Sequence, residues 1–286
     1  MKKIDMHIHL SREPVYRNDK IFVSDAESML RHMDELEIEK AVLMSMGESP
    51  AQLGSNDANR EICSQYPDRF SWMCNVDLCP PEAVFDRLAA CKAQGAIGVG
   101  ELTQNLPMDA PFFQAVFAAA QRLSIPVTFH MSPEEGFNYG LVDRPGLPLL
   151  EKTLQAFSDV KFLGHSQPFW IEISGDAPND PKGRNAWGKG PVLPGGALPR
   201  LFEKYPNLYG DLSANSAGRA IMRDEEFGIR FLETYADRLF FGTDMLNAEQ
   251  ILPLADWMEQ QVSLGNLSQT ACRKIFIENA RTVFAL

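Results

Sequence analysis

The stretch KIDMHIHL, residues 3–10, decides the fold. Read as a strand, Ile4, Met6 and Ile8 point one way and Asp5, His7 and His9 the other, because successive side chains alternate faces. One face is then wholly apolar. The other carries two imidazoles and a carboxylate, which are costly to bury unless something binds them. Seven further apolar runs follow: KAVLMSM (40–46), FSWMCNVD (70–77), AIGVGELT (96–103), PVTFHMS (126–132), VKFLGHS (160–166), NLYGDLSA (207–214) and RLFFGTDM (238–245). Several are apolar throughout rather than alternating, the pattern of parallel strands covered on both faces.

Helical patterns lie between these runs. SDAESMLRHMDELEI follows strand one, with Ser24 expected as the N-cap and Glu27 as its capping-box partner. PPEAVFDRLAACKAQG opens on proline and ends on glycine, and PFFQAVFAAAQRLSIP also opens on proline. PRLFEKYPN and DEEFGIRFLETYAD precede strands seven and eight, and helical sequence from AEQILPLADWMEQQV to TACRKIFIENARTVF closes the chain. Eight strands alternating with helices, undivided by any Pro- or Ser-rich linker, predict an α/β fold: a single (β/α)8 TIM barrel forming one domain over residues 1–286. Residues 166–196, rich in Gly, Pro and Trp, stand where the loop after strand six belongs. A connection that long in a compact domain is expected to be a lid or specificity loop.

A net charge of -11 argues against a nucleic-acid surface, and 45% hydrophobic residues suit a sizeable core. The five cysteines, Cys63, Cys74, Cys79, Cys91 and Cys272, form no zinc-knuckle pattern and read as free thiols of a reducing compartment. No apolar signal region follows Lys2 and Lys3 and no run of 18 apolar residues occurs, so a cytoplasmic protein is expected.

In a barrel of this kind, active residues stand at the C-terminal ends of the strands. Those ends carry His7 and His9, Glu101, His130, His165 and Asp244. Four of the five histidines fall there; the fifth, His32, lies in a helical pattern. Imidazoles and carboxylates together suit a divalent borderline metal, Zn first, with Mn, Fe or Co as alternatives, as one or two ions.

With these residues placed, the chain resembles the amidohydrolase superfamily, in the branch of aminocarboxymuconate semialdehyde decarboxylase, resorcylate decarboxylases and pyrone dicarboxylate lactonase. IDMHIH, TFHM, LGHS, YGDLSA and FGTD match in order along nearly the whole chain. The resemblance implies that His7, His9, His130 and Asp244 are metal ligands. It makes His165 either a ligand of a second ion or an acid/base that polarises substrate. GVGELT departs from the decarboxylase pattern by placing Glu101 where binuclear relatives carry a bridging carboxylate, similar to the TatD-type arrangement.

These roles imply hydrolysis of a small, carboxylate-bearing lactone, ester or amide through a metal-bound hydroxide, since a metal lowers the pKa of water from 15.7 to roughly 7. Asp244 and His165 are the expected catalytic pair. Arg12, Trp170, Arg184, Trp187, Lys189 and Arg219 are candidate substrate contacts, arginine being suited to bidentate carboxylate binding. The expected partner is a small-molecule substrate, with no nucleic acid and no membrane; self-association into a homodimer stays open. A non-oxidative decarboxylase on the same scaffold is the alternative, ahead of a TatD-like nuclease and a non-catalytic metal-binding protein.

Overall fold

The computed structural model describes residues 1–286. Each of the eight runs coincides with a strand, the second starting two residues early at Ile38: β1 (Lys3–Ile8), β2 (Ile38–Leu43), β3 (Phe70–Trp72), β4 (Val99–Leu102), β5 (Val127–Ser132), β6 (Phe162–His165), β7 (Leu208–Asp211) and β8 (Leu239–Phe240). All neighbours pair in parallel, β1 to β2 to β3 and β4 through β8 in order. Two bridges join these sheets into a ring. Cys74 pairs with Val99 between β3 and β4, and Ile8 with Met245 between β1 and the end of β8. Met6 N–H also donates to Phe241 O at 2.9 Å across the second seam. The barrel is therefore closed, which leaves its own strands no free edge.

Ile4 and Met6 pack in the barrel interior with Val42, Met44, Met73, Leu163 and Phe240, drawn from strands all round the ring. Ile8 instead joins the larger core between the strands and the outer helices. This corrects the simple alternation. Between Asp5 and Ile8, β1 advances three residues while β2 advances two, from Ala41 to Leu43. Such a bulge reverses the side-chain phase and re-aims the residues beyond it. β4 carries the same irregularity, with Val99 opposite Val127 and Leu102 opposite Phe129.

The helices that cover the ring include α1 (Ala26–Glu35), α2 (Asn56–Gln65), α3 (Pro81–Ala93), α4 (Pro111–Leu123) and α5 (Pro148–Ala156). α1 is capped by Asp25, whose side chain accepts from Ser28 N–H at 2.9 Å, and not by Ser24. Asp25 lies one residue nearer the helix, which brings its carboxylate to the free amides of the first turn. A hairpin of Val15–Arg17 and Lys20–Val23 follows β1, turning on Asn18 and Asp19, both at positive φ. Those two residue types tolerate that conformation and favour the tight turn.

Residues 166–196 are not one open loop. They begin with α6 (Gln167–Trp170) and a helical turn at Ile171–Ile173, then form α7 (Pro181–Arg184). Phe169, Trp170 and Ile173 are part of the core. α8 (Ala197–Lys204), α9 (Ala214–Met222) and α10 (Glu225–Thr234) follow, and α11 (Leu254–Ser263) starts after the stretch 248–253, which was expected to be helical. Pro253 bounds that helix at its start. All five cysteines are free thiols, and no helix is long and apolar enough to cross a membrane.

Candidate metal centre

The strand ends place five of the six expected donors around one point. Nε2 of His7 and Nε2 of His9 lie 3.3 Å apart. Asp244 Oδ1 is 3.5 Å from the first and 3.4 Å from the second, while its Oδ2 is 3.6 Å from His165 Nε2. Glu101 Oε2 lies 3.8 Å from both His7 and His9, and its Oε1 3.8 Å from His165 Nε2. Donor atoms of His7, His9 and Asp244 all fall within 4.8 Å of one another, as do those of His7, Glu101 and His165. His130 stands beside this group rather than within either triad, its Nδ1 2.8 Å from Glu101 Oε1. The donor set fits a divalent ion: borderline nitrogen and hard oxygen atoms converge, buried except at the partly exposed Asp244.

The inward direction of the imidazoles has a cause in what lies behind them. Asp211 Oδ2 is 2.6 Å from His7 Nδ1, Ser213 Oγ is 2.7 Å from His165 Nδ1, and Leu53 O is 3.3 Å from His9 Nδ1. Each outer nitrogen is thus occupied and each Nε2 is turned to the centre. Asp211 and Ser213 were not singled out in the sequence, although YGDLSA contains both. Their signal was the same i, i+2 strand-end spacing that marks His7 and His9. Asp211→Asn is expected to weaken divalent-metal affinity ten- to hundredfold, read by competition with a chelator. Unchanged affinity would show that the Asp211–His7 contact does not orient the ring.

Asp5 anchors the turn that carries Asp244. It accepts from Thr243 N–H at 3.0 Å and Thr243 Oγ1 at 2.6 Å, and from His7 N–H at 3.0 Å. Asp244 itself adopts φ +58° and donates its N–H to His7 O at 2.7 Å. Asn75 does similar work for Glu101, donating Nδ2 to the Glu101 carbonyl at 2.6 Å.

Charge balance follows from this packing. Burial alone would depress His7, but Asp211, Asp244 and Glu101 outweigh it and lift the imidazole to about 10. His165 is lowered by burial and by the neighbouring His7. Burial works to raise Glu101 and Asp244, yet the surrounding imidazoles hold both below the ordinary carboxylate range.

The candidate substrate contacts divide. Arg12 lies at the surface in an ion pair with Glu61 at 2.6 Å. Trp170 is 1% exposed and donates Nε1 to Asp211 O at 3.1 Å, so it supports β7 from the core. Arg184 is equally buried, donating Nη1 to Pro133 O at 2.9 Å and Asp143 O at 2.7 Å, with Nη2 3.7 Å from Glu172. Trp170 and Arg184 are corrections, sealed in the interior and away from any ligand: a planar donor fork or an indole satisfies buried carbonyls as readily as a ligand. Trp187 and Arg219 are exposed and stack on each other, the guanidinium 4.2 Å from the ring centroid. Lys189 is exposed, and its carbonyl accepts from Arg223 at 2.8 Å. Arg184→Met would leave two carbonyls unpaired in the interior and Glu172 with Gly146 N–H but no opposing charge, and a stability loss of about 3–5 kcal/mol is expected in urea unfolding. A loss below about 1 kcal/mol would show that the brace carries little.

A closed (β/α)8 barrel with imidazoles and carboxylates gathered at the C-terminal strand ends defines the amidohydrolase class of barrel. The chain belongs to that family: the family model described as Amidohydrolase matches residues 4–286. No protein of curated description matches the chain. Among solved structures, it is similar to a probable 2-pyrone-4,6-dicarboxylic acid hydrolase from Acinetobacter baumannii with citric acid bound, at 18% identity and TM-score 0.60 over 100% of both chains. It is similar to 5-carboxyvanillate decarboxylase from Sphingomonas paucimobilis, at 15% identity and TM-score 0.64 over 100% of this chain and 99% of that one. A dihydroxybenzoic acid decarboxylase from Polaromonas sp. JS666, with bound manganese and the inhibitor 2-nitroresorcinol, is 19% identical at TM-score 0.62 over 100% and 97%.

Proposed function

We propose that this chain is a metal-dependent hydrolase of a small, carboxylate-bearing lactone, ester or amide. The observation that carries the reading is Asp244. Its side chain is 28% exposed, whereas Glu101 and Asp211 are 5% and 1% exposed, so of these three carboxylates it has the most open path to a substrate. His7, His9, Glu101, His165 and Asp244, with His130 beside them, would hold the metal. A divalent ion there, Zn or Mn, supplies Lewis-acid polarisation of the scissile carbonyl and makes water more acidic.

The residues of the chain do the rest. Asp244, the most exposed of these carboxylates, accepts a proton from the attacking water on Oδ and returns it to the leaving oxygen or nitrogen as the acyl bond breaks. His165, fixed through Nδ1 by Ser213, would either add Nε2 to the donors of a second ion or, with a single ion held by the others, direct Nε2 at the oxygen on which negative charge develops. Arg219, stacked on Trp187 at the surface, offers a guanidinium for a substrate carboxylate.

The test is to load the protein with zinc or manganese and offer lactones, esters, amides and aromatic carboxylic acids in water enriched in the heavy oxygen isotope. Label appearing in the acid product, without CO2, supports hydrolysis. CO2 release from an aromatic acid without label uptake would overturn it and make the protein a lyase, the reaction named for two of the structural neighbours.

A further inference from the structure

Tyr139 has no part in the chemistry above, yet it is positioned with care. It lies in the segment after β5, 56% exposed, with its ring centroid 4.4 Å from that of His130 and the planes 46° apart. An exposed aromatic on a connecting segment would ordinarily be mobile. This one is pinned on both sides. Asn138 accepts from Ser132 Oγ at 2.5 Å and donates to Asn185 Oδ1 at 3.2 Å, tying the segment to the end of α7. Gly140 donates N–H to Thr103 O at 2.7 Å and accepts from Asn105 at 3.1 Å. Gly140 also sits at φ +112°, so close to His130 that an added Cβ would fall 2.9 Å from the imidazole Cδ2. Only glycine permits both that dihedral and that approach.

Arg184 completes the brace. Its Nη1 holds the carbonyls of Pro133 and Asp143, one at each end of the segment that carries Tyr139. A buried guanidinium is a costly way to order a surface segment unless the segment's geometry matters. The ring of Tyr139 lies tilted against His130 while the residue stays more than half exposed, which leaves ring surface free beside the imidazole. The hydroxyl makes no hydrogen bond within the protein, so the ring, and not its polar tip, is what the fold has fixed.

We propose that Tyr139 is a specificity-determining residue whose free ring surface receives a flat, conjugated portion of the substrate beside His130. The proposal rests on the reading of the site as a metal-dependent enzyme and adds to it which residue selects substrate shape, and by what contact. Aromatic rings favour offset or edge contact with another π-system, and such pairs add to binding beyond area alone. A puckered, saturated group of the same charge gains less from the same surface.

The experiment compares two carboxylates that differ in planarity, benzoate and cyclohexanecarboxylate, by calorimetric titration of the manganese-loaded protein. Wild type is expected to prefer benzoate, Tyr139→Phe to keep that preference, and Tyr139→Leu to lose about three- to tenfold of it. The affinity for cyclohexanecarboxylate and the manganese content should stay unchanged in all three. The inference is overturned if wild type has no preference for benzoate, or if Tyr139→Leu retains it. It is equally overturned if Tyr139→Phe loses as much as Tyr139→Leu, which would assign the effect to the hydroxyl, or if Tyr139→Leu sheds manganese, which would make the ring a support for His130 alone. Neither probe has a bond for hydrolysis, so failure of the hydrolase reading is seen separately, in the labelled-water assay.

Discussion

Asp244→Asn is expected to lower turnover on the order of a thousandfold while the protein stays folded. The size follows from the role: a positioned proton acceptor contributes roughly 10²–10⁴ in rate. The fold is spared for reasons visible in the backbone. Asp244 sits at φ +58° and is held by its own N–H to His7 O at 2.7 Å, neither of which involves the carboxylate. Asparagine tolerates the left-handed region as aspartate does. The amide keeps one oxygen near His7 and His9 but loses the charge and the capacity to take up a proton. Measuring kcat together with melting temperature and metal content separates the outcomes. A lost rate with retained metal marks the proton shuttle, whereas a lost rate with lost metal marks a ligand alone. Full activity in the variant would remove Asp244 from the reaction.

The strand ends were legible because a buried parallel strand has a plain signature, an apolar run closed by a polar residue. That signature sufficed for all eight strands, even β8, whose regular pairing covers only Leu239 and Phe240. What it could not convey was phase. The bulge in β1 belongs to the pairing of β1 with β2, and the turn beyond it is held by Asp5 gripping Thr243, 238 positions away. No local pattern encodes such a contact. The arginines show the same limit from another side. Arg12, Arg184 and Arg219 are chemically identical, yet one is paired at the surface, one is sealed in the interior and one stacks on an exposed indole. Burial, which decides among these, is a tertiary quantity. Asp211 and Ser213 were within reach of sequence reasoning, since they end β7 as the histidines end β1 and β6; only their partners, the outer nitrogens of His7 and His165, required three dimensions.

Glu101 is where sequence and geometry press furthest toward two ions. Its carboxylate stands between all four imidazoles of the site: 2.8 Å from His130 and 3.8 Å from each of His7, His9 and His165. No other acid of the cluster approaches His130 in this way. A carboxylate with one oxygen toward His7 and His9 and the other toward His130 and His165 has the shape of a bridge between two neighbouring cations. Glu101→Ala is therefore expected to lower the metal content by about one ion per chain, counted by elemental analysis after loading and desalting, with wild type as the reference. The alanine also strips His130 Nδ1 of its buried partner, a loss of about 1–3 kcal/mol in stability. A fall in metal content could then reflect a loosened site rather than a missing ligand. Glu101→Gln separates the two, because its amide oxygen still accepts from His130 while the negative charge is gone. If the glutamine variant keeps wild-type stability and still loses one ion, charge at Glu101 holds that ion. A full metal count in both variants would refute the bridge and leave Glu101 as a hydrogen-bond partner of His130, with His7, His9 and Asp244 as the donors of a single ion.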